Sequence, residues 1–386
     1  MAAGYLWNLT LNDPQNISVF PGFCKRVRFR KSNCQRCLEI CPESAISLDP
    51  GPTINNGCTD CGLCQNVCPT EVFQDEPRTG QDLLNQSKEF LGKDPQQPPG
   101  EKKRLFIYCQ RAENRNKNSL LVTCLGRVTA NVILGTALSG FDEVVLTKGI
   151  CSQCHFHQGE KLLTNSITTS RVLLESAGLR EFSISMKEKE KNREDILSRR
   201  EIFSKISNKV KNKAASFVCH TEKAIREKLT GDLGSKKGIR PSPERELLRK
   251  LLKQRRWENA MVVEYKPEFP WGKIRIDEKN CSACGTCLVL CPTGAISRRL
   301  GNEKQTLYFN SSLCTNCSLC EEACPKNAID FEENFALDEI LEGQATVVAR
   351  IRLTSCTICG EAIAGENSKL CPTCEKRQVW STHVNV

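Results

Sequence analysis

Residues 281–325 read CSACGTCLVLCPTGAISRRLGNEKQTLYFNSSLCTNCSLCEEACP, and they contain one cysteine spacing twice. The spacing is Cys-x2-Cys-x2-Cys-x3-Cys-Pro, which begins at Cys281 and again at Cys314. Three closely spaced thiolates in one turn can hold three irons of a cubane, and the fourth cysteine follows the turn. A zinc-binding array is the alternative, but two complete runs that both end in Cys-Pro favour iron–sulfur clusters.

This repeat resembles the two-cluster bacterial ferredoxin family, in which the fourth cysteine of each run ligates the other cluster. The resemblance implies a C-terminal dicluster ferredoxin domain over residues 273–331. Short strands are predicted before each run, at GKIRID and QTLYFN. The ligand sets that the resemblance implies are Cys281, Cys284, Cys287 and Cys324 for one [4Fe–4S] centre, and Cys314, Cys317, Cys320 and Cys291 for the second.

Residues 20–75 repeat the pattern with one defect. The run over residues 58–69 is complete, whereas Lys31 stands at the first cysteine position of the earlier run. Cys24 precedes that run and can replace the missing ligand through a longer loop. The alternative is a three-iron cluster in which Cys24 takes no part. We expect an N-terminal dicluster ferredoxin-like domain with the ligand sets Cys24, Cys34, Cys37 and Cys68, and Cys58, Cys61, Cys64 and Cys41.

Residues 104–186 alternate between strand-like and helix-like patterns. Strands are predicted at RLFIYC, LLVTC, EVVLT and EFSISMK, with helices that end at Gly140 and Gly178. This order predicts a small α/β domain with a mainly parallel sheet. Its cysteines fall at or just after strand ends, where such a sheet presents its binding edge. They are Cys109, Cys124, Cys151 and Cys154.

Residues 124–127 (CLGR) and 149–155 (GICSQCH) resemble the delta subunit of methyl-viologen-reducing hydrogenase. That family joins hydrogenase or formate dehydrogenase to heterodisulfide reductase and carries a [2Fe–2S] cluster on four cysteines. The resemblance covers roughly residues 104–180 and implies such a cluster here. Two features depart from the family, since Cys109 stands alone and the later cysteine pair is closely spaced. A cluster-free docking domain is therefore the alternative. The implied ligands are Cys109, Cys124, Cys151 and Cys154.

Residues 350–376 hold two further cysteine pairs, Cys356-x2-Cys359 and Cys371-Pro-x-Cys374. Two knuckles of this type wrap one tetrahedral metal ion, for which zinc is the default. The pattern therefore predicts a zinc ribbon with a structural role. A rubredoxin-like iron site is the alternative, although it would need a longer segment between the pairs.

The chain has 386 residues, with 55 Lys and Arg against 45 Asp and Glu, and a formal net charge of +10. Each of the six predicted four-cysteine sites adds roughly two negative charges, so the loaded protein should carry a net charge of about −2. Binding to nucleic acid through bulk basicity is therefore not expected. The excess of basic residues is concentrated in residues 187–256, which hold 22 Lys and Arg against 10 Asp and Glu.

Residues 187–256 are predicted to be a basic helical segment, with Ser242 as an N-cap before Pro243. Its charges form either a solvated helix face or a docking surface for an acidic partner. The one cysteine left over, Cys219, is interpreted as a buried structural thiol. Residues 76–103 are polar and rich in Pro and Gln, which predicts a linker. Four leucines of the basic segment fall on one helix side: Leu247, Leu248, Leu251 and Leu252.

Several signals are missing from the sequence. There is no run of 18 apolar residues, and the first residues do not resemble a secretory signal, so we expect a cytoplasmic protein without a membrane span. In that compartment thiols stay reduced, so the 25 cysteines favour metal binding over disulfides. No nucleotide-binding or phosphate-binding motif follows a strand, so we expect no substrate site of the chain's own.

Together these patterns predict an α+β and α/β multidomain protein that relays single electrons. Its expected cofactors are four [4Fe–4S] clusters, one [2Fe–2S] cluster and one zinc ion. The family resemblance implies hydrogenase, formate dehydrogenase or a heterodisulfide-reductase-type flavoprotein as partners, in an anaerobic metabolism. Two other functions stay open. They are an accessory or maturation protein for a redox metalloenzyme, and a redox-responsive nucleic-acid binder that uses residues 187–256.

Overall fold

The computed structural model describes residues 17–75, 79–91, 101–113, 119–189, 239–240, 242–254, 262–301, 303–364, 369–371, 373–375 and 377. Cys219 and most of the predicted basic segment lie outside these residues. The strands are β1 (Ile17–Val19), β2 (Ile46–Ser47), β3 (Thr53–Ile54), β4 (Phe73–Asp75), β5 (Arg104–Cys109), β6 (Ser119–Val122), β7 (Glu143–Lys148), β8 (Ser183–Glu188), β9 (Val262–Glu264), β10 (Ile274–Ile276), β11 (Ile296–Leu300), β12 (Lys304–Phe309), β13 (Ile329–Phe331), β14 (Asn334–Ala336), β15 (Thr346–Ser355) and β16 (Ala362–Ala364). The helices are α1 (Lys25–Arg28), α2 (Arg36–Ile40), α3 (Leu63–Val67), α4 (Gly80–Lys88), α5 (Ala130–Leu138), α6 (Gly159–Ser176), α7 (Pro243–Leu252), α8 (Thr286–Leu290), α9 (Leu319–Glu322) and α10 (Asp338–Glu342).

The middle of the chain forms the parallel sheet that its alternating pattern predicts. The strand order is β6-β5-β7-β8, and every neighbouring pair is parallel. Helix α5 is followed by Gly140, at a φ of +95°, and α6 by Gly178, at +64°. Residues with side chains avoid this left-handed conformation, so both glycines suit the place where a helix ends. The predictions of a parallel sheet and of these two helix ends are confirmed.

The two cysteine-rich blocks share one arrangement of strands. In the N-terminal block, β1 pairs with β4 and β2 pairs with β3, both antiparallel. In the C-terminal block, β10 pairs with β13 and β11 pairs with β12, also antiparallel. Each block therefore has an outer strand pair that joins its two ends and an inner pair between its two cysteine runs. The inner pair of the C-terminal block continues through β15 to β16, which attaches the tail to it.

Part of the segment predicted as a linker is helical. Helix α4 begins with a capping box, in which Thr79 accepts a hydrogen bond from the backbone of Asp82 and the Asp82 side chain accepts one from the backbone of Thr79. Leu83 and Leu84 of this helix are buried in the core of the middle sheet. The linker prediction is wrong for residues 79–91, because the T-x-x-D spacing that starts the helix is a capping signal that composition does not reveal.

Helix α7 is the helix that the structure describes in the basic segment, and its apolar side is buried in a hydrophobic core. The first residues of that segment, up to Glu188, belong to strand β8 and are not helical. Ser242 caps it by accepting a hydrogen bond from the backbone of Arg245 at 3.0 Å, as predicted. Its four leucines share one core with the middle sheet, α4, Val263 and Trp271. Arg245 is buried too, and it donates hydrogen bonds to the backbone carbonyl groups of Ser311 and Ser312 at 2.7 and 3.1 Å. This arginine belongs neither to a solvated helix face nor to a docking surface.

None of the helices in the described ranges combines the length and the apolar character that crossing a bilayer requires.

Candidate metal centres

The first C-terminal ligand set lies around one cavity. Cys281, Cys284, Cys287 and Cys324 all line it, together with Leu307. Burial, and then the neighbouring thiolates of the same set, raise the pKa of Cys287 to about 12. Without a cation the thiolate form is therefore costly here, whereas a positively charged metal core would stabilise it. The donor set, which is all thiolate and closely grouped, fits an iron–sulfur cluster.

The second C-terminal set is more deeply placed. Burial raises the pKa of Cys320 well above its usual value, and the thiolates of Cys317, Cys314 and Cys291 raise it further. The next contribution comes from Cys287 of the first set, so the two sites are neighbours. The structure thus brings together the four cysteines that the family resemblance assigned to this centre.

Cys24 reaches the cavity of the first N-terminal set. Cys24, Cys34, Cys37 and Cys68 line that cavity together with Lys25. Burial raises the pKa of Cys37 to about 12, and the thiolates of Cys68, Cys34 and Cys24 add to the shift. The position of Cys24 supports its role as the replacement ligand for the run in which Lys31 stands at the first position.

The second N-terminal set shows the same electrostatic pattern. The pKa of Cys64 is raised well above its usual value, first by burial and then by the thiolates of Cys61, Cys58 and Cys41. Cys68 of the first set also contributes, so these two sites are adjacent as well. All sixteen cysteines assigned to cubanes therefore fall into the four expected groups.

In the complete cysteine runs, backbone N–H groups point toward cysteine sulfur atoms. Asp60 and Asn316 have positive φ angles of 56° and 52°, and their N–H groups donate to Cys58 Sγ and Cys314 Sγ, each at 3.4 Å. A left-handed residue turns successive N–H groups to one side, where they stabilise thiolate charge. Residues 24–37, all of them described, contain no positive φ angle, so the run that uses Cys24 has a different loop.

Each Cys-Pro ending is followed by a tight corner that the sequence patterns did not predict. The third residue after the cysteine has a positive φ angle, and the N–H of the fourth donates to the cysteine sulfur at 3.3–3.5 Å. The corner residues are Ser44, Glu71, Gly294 and Asn327. Their N–H donors are those of Ala45, Val72, Ala295 and Ala328. The same sulfur environment thus occurs four times.

The middle-domain cysteines converge at the carboxyl edge of the sheet. Cys109, Cys124, Cys151 and Cys154 line one cavity. Burial raises the pKa of Cys124 to about 12, and neighbouring thiolates add to the shift. A backbone hydrogen bond from Gly126 opposes it in part. The N–H of Gly149 donates to Cys109 Sγ at 3.4 Å. Four gathered thiolates with backbone donors fit a two-iron core.

The tail cysteines form a tighter group. The sulfur atoms of Cys356, Cys359, Cys371 and Cys374 all lie within 4.8 Å of one another. Thiolates on one tetrahedral zinc ion lie about 3.8 Å apart, and Cys359 Sγ and Cys371 Sγ are 3.6 Å apart. Backbone hydrogen bonds lower the pKa of Cys356 to about 6, which favours the thiolate that a metal ion requires. This donor set fits a single ion.

Two of the junctions between the groups of cysteines involve arginines that lie close in sequence to predicted ligands, Arg28 and Arg127. Between the two blocks, Lys25 Nζ lies 2.8 Å from Glu322 Oε2, and Arg28 donates to the carbonyl oxygens of Leu290 and Val289 at 2.7 and 3.0 Å. The thiolate of Cys291 acts electrostatically on Arg28, so this junction lies beside a predicted cluster.

The second junction joins the N-terminal block to the middle sheet. Arg127 forms a buried ion pair with Asp75 and donates to the carbonyl oxygen of Asp60 at 3.4 Å. The thiolate of Cys61 acts on Cys124, so a cubane ligand and a middle-domain ligand are neighbours across this junction. No periodic pattern in the sequence links these residues.

Comparisons with known proteins agree with this geometry. Residues 274–331 match the family described as "4Fe-4S dicluster domain", and residues 110–212 match "Methyl-viologen-reducing hydrogenase, delta subunit". The second match begins inside the expected range of 104–180 and extends beyond it. The two matches cover the C-terminal dicluster block and most of the middle sheet.

Curated relatives match short parts of the chain. Formate hydrogenlyase subunit 2 of Escherichia coli is 37% identical over 77 residues, which are 18% of this chain and 36% of the relative. Polyferredoxin protein MvhB of Methanothermus fervidus is 36% identical over 103 residues, 26% of this chain and 21% of the relative. The chain thus spans about a third of the first relative and about a fifth of the second.

A smaller relative is matched over most of its length. An uncharacterised ferredoxin of Methanocaldococcus jannaschii is 32% identical over 57 residues, which are 15% of this chain but 74% of the relative. With the dicluster match and the grouped cysteines, this similarity establishes the family. The chain belongs to the ferredoxin family of iron–sulfur electron-transfer proteins.

Proposed function

We propose that the chain holds five iron–sulfur centres in a row and passes single electrons along them between oxidoreductase partners. The order runs from the Cys281 set through the Cys314 set, the Cys24 set and the Cys58 set to the Cys109 set. The observation that carries this proposal is that neighbouring sets lie close to each other. In three of the four steps a thiolate of one set acts on a cysteine of the next set, and in the step between the two blocks Cys291 acts on Arg28, which follows Cys24. Electron transfer along a protein needs such short steps between neighbouring centres.

The steps within each block are supported by cysteines of adjacent sets. Cys320 and Cys287 interact in the C-terminal block, and Cys64 and Cys68 interact in the N-terminal block. The crossing of the fourth cysteine of each run to the other set, which the ferredoxin resemblance implies, would account for this closeness. Each block would therefore act as a pair of coupled centres.

The step between the blocks uses the junction at Arg28. Helix α1, which follows Cys24 directly, supplies both Lys25 and Arg28 to the C-terminal block. The thiolates of Cys291 and Cys317 both act on Arg28. The two blocks thus contact each other beside a predicted cluster in each block. Electrons would therefore not need to pass through the middle sheet to move from one block to the other.

The middle sheet lies at one end of the row. Its Cys124 is in electrostatic contact with Cys61 of the N-terminal block. We propose that Cys109, Cys124, Cys151 and Cys154 hold a [2Fe–2S] cluster through which electrons enter or leave on this side. The similarity to a hydrogenase delta subunit supports this placement. The bound cluster would supply one-electron chemistry, and the chain's part is to hold it beside the Cys58 set.

The names of the relatives suggest partners. Formate hydrogenlyase subunit 2, polyferredoxin MvhB and pyruvate synthase subunit PorD are all similar to parts of this chain. We propose a partner of hydrogenase, formate dehydrogenase or flavoprotein type in a cytoplasmic, anaerobic redox complex. We also propose that the tail cysteines hold a structural zinc ion. We propose that the domains follow the boundaries expected from the sequence, except that α4 and α7 pack into the core of the middle sheet.

The row can be tested by removing an inner centre. Cys37→Ala in the full chain, prepared without oxygen, should eliminate the Cys24-set cluster and separate the remaining centres into two groups. Magnetic coupling between the groups, measured by EPR on the fully reduced protein, should then disappear. Cys287→Ala is the matched control, because it removes a terminal centre and leaves coupling across the rest. Equal loss of coupling in both variants would contradict the order.

The functional class can be tested by copurification. A relay stays in a fixed ratio with its active oxidoreductase complex, whereas a maturation protein leaves the complex once assembly is finished. Anaerobic purification from the native source should therefore yield the chain at constant stoichiometry with a partner that can reduce it. Recovery only with an apo-enzyme would contradict the relay and favour a maturation role.

A further inference from the structure

One cubane ligand reaches the surface at the C-terminal end of the proposed row. The structure describes all sixteen cysteines assigned to cubanes. Among them Cys284 is exposed, and the other fifteen are buried or half-buried. It belongs to the Cys281 set, which is farthest along the row from the middle sheet. An electron passing to another protein would leave most readily where a cluster comes closest to solvent.

An edge strand forms the rim beside Cys284. Strand β11 lies at the end of its sheet, where β12 is its neighbour. In their antiparallel register, Arg298 lies opposite Leu307 and Leu300 lies opposite Gln305. Leu307 and Gln305 both line the cavity of the Cys281 set. Since opposite residues share a face, Arg298 and Leu300 stand on the cluster side of the strand.

The position of Arg298 is close to the cysteine loop. A Cβ atom added at Gly285, the residue after Cys284, would lie 3.2 Å from Arg298 Nη1. Arg298 is exposed and forms no ion pair with any residue that the structure describes. Leu300 beside it is 59% exposed. Arginine is enriched where proteins bind one another, and the exposed side chain of Leu300 adds apolar area beside it.

The two carboxylates shortly before Cys281 accept hydrogen bonds from residues other than Arg298. Asp277 accepts hydrogen bonds from the backbone of Lys279 at 2.8 Å and from the side chain of Asn280 at 2.7 Å. Glu278 accepts one from the backbone of Arg350 at 2.6 Å. Arg298, which has no ion pair among the described residues, therefore presents its positive charge to solvent close to the loop of the exposed cysteine.

We propose that Cys284, Arg298 and Leu300 form the docking face for an acidic one-electron carrier protein. This inference rests on the proposed relay, because it assigns the place where the row meets its partner. Arg298 would steer an acidic surface toward the cluster, and Leu300 would supply the apolar contact. The transfer moves one electron, so the donor is oxidised by one electron and the carrier is reduced by one, without a proton.

Two haem proteins of opposite charge are suitable probes. The soluble domain of cytochrome b5 is acidic and cytochrome c is basic, and both accept one electron as ferric haem becomes ferrous. Stopped-flow spectroscopy would follow their reduction by the full-length protein, loaded with clusters and reduced without oxygen. At low ionic strength, Arg298→Glu should slow reduction of the acidic probe about tenfold, and added salt should remove the difference. Reduction of cytochrome c should not slow.

Arg299→Glu is the matched control. Arg299 is the next residue on the same strand and lies opposite Thr306, so it stands on the other face. This variant introduces the same charge change and should alter the rate with cytochrome b5 less than twofold. Arg298→Gln should have an intermediate effect. Iron content and the EPR spectrum would verify that each variant keeps its clusters, and if Arg298→Glu loses iron, the comparison rests on Arg298→Gln.

The outcomes separate the docking face from the relay. If Arg298→Glu slows both probes equally, or if Arg299→Glu slows the acidic probe as much, Arg298 acts on the cluster itself and the docking face is wrong. If the wild-type protein takes up electrons and reduces both probes at rates that do not depend on salt, the docking face is also wrong. If it reduces neither probe, the relay itself fails.

Discussion

Arg28 Nε donates a hydrogen bond to the carbonyl oxygen of Leu290 at 2.7 Å, across 262 positions of sequence. Arg28 lies four residues after Cys24, and Leu290 lies directly before Cys291, so the bond joins the ends of helices α1 and α8 beside two predicted cluster ligands. The end of helix α8 leaves carbonyl groups without partners inside the helix, and a guanidinium group satisfies several of them at once. This contact is one of several that join the two ferredoxin-like blocks.

Removing the Arg28 side chain should weaken this junction. Arg28→Gln deletes hydrogen bonds from a charged donor, which should lower the free energy of unfolding by about 1–3 kcal/mol. It also removes a positive charge near Cys291 and Cys317, so the reduction potential of that cluster should fall. Thermal unfolding and a potentiometric EPR titration would measure both effects. Arg30→Gln, at an exposed position, is the control, and equal behaviour of the two variants would contradict the role of Arg28.

Cys24 should be essential for one cubane. Cys24→Ala should reduce the iron content by about four atoms per chain and leave the signals of the C-terminal block intact. Iron analysis and EPR spectra of the anaerobic protein provide the measurement. Lys31→Ala should leave the iron content unchanged, since the lysine cannot be a thiolate ligand. An unchanged iron content in Cys24→Ala would instead favour a three-iron cluster in which Cys24 takes no part.

The Arg127–Asp75 ion pair should matter more than an exposed pair. Both side chains are buried, with 3% and 0% exposed. Asp75→Ala would leave a buried arginine without its carboxylate, which should lower the free energy of unfolding by about 3–5 kcal/mol. Arg104→Ala breaks the partly exposed pair with Glu143, at 2.9 Å, and should cost about 0–1 kcal/mol. Similar melting temperatures for the two variants would show that the junction does not depend on the buried pair.

The tail should bind zinc independently of the iron centres. Cys371→Ser removes one of four thiolates, so the protein should lose about one zinc ion per chain and keep its iron. Elemental analysis measures both metals in one sample, and Cys219→Ser serves as a control outside the predicted ligand sets. Loss of iron in place of zinc from the tail variant would favour the rubredoxin-like alternative.

Local patterns predicted most of the site. Cysteine spacing predicted the ferredoxin-like runs and the tail pairs, and the family resemblances implied how the cysteines divide into ligand sets. Alternating strand and helix patterns predicted the middle sheet with its cysteines at one edge. These features depend on neighbouring residues, which a sequence displays directly. The capping box of Thr79 and Asp82 was also local, but the polar composition around it led to the linker prediction.

Long-range relationships were not predictable in the same way. The order of the centres depends on contacts such as Arg28 with Leu290 and Arg127 with Asp75, whose partners are far apart in sequence. The left-handed corners at Ser44 and Asn327 also escaped prediction, because neither residue type requires a positive φ. The fold imposes that conformation so that the next N–H can reach a cysteine sulfur.

The central claim is the number of redox centres on one chain, and a reductive titration of the anaerobic full-length protein tests it most directly. Iron analysis with Mössbauer spectra should give about eighteen irons per chain, of which about two belong to a [2Fe–2S] centre, and the titration should take up about five electrons. An iron content near eight with about two electrons would mean that one ferredoxin-like block and the middle site hold no cluster, and it would contradict the five-centre row.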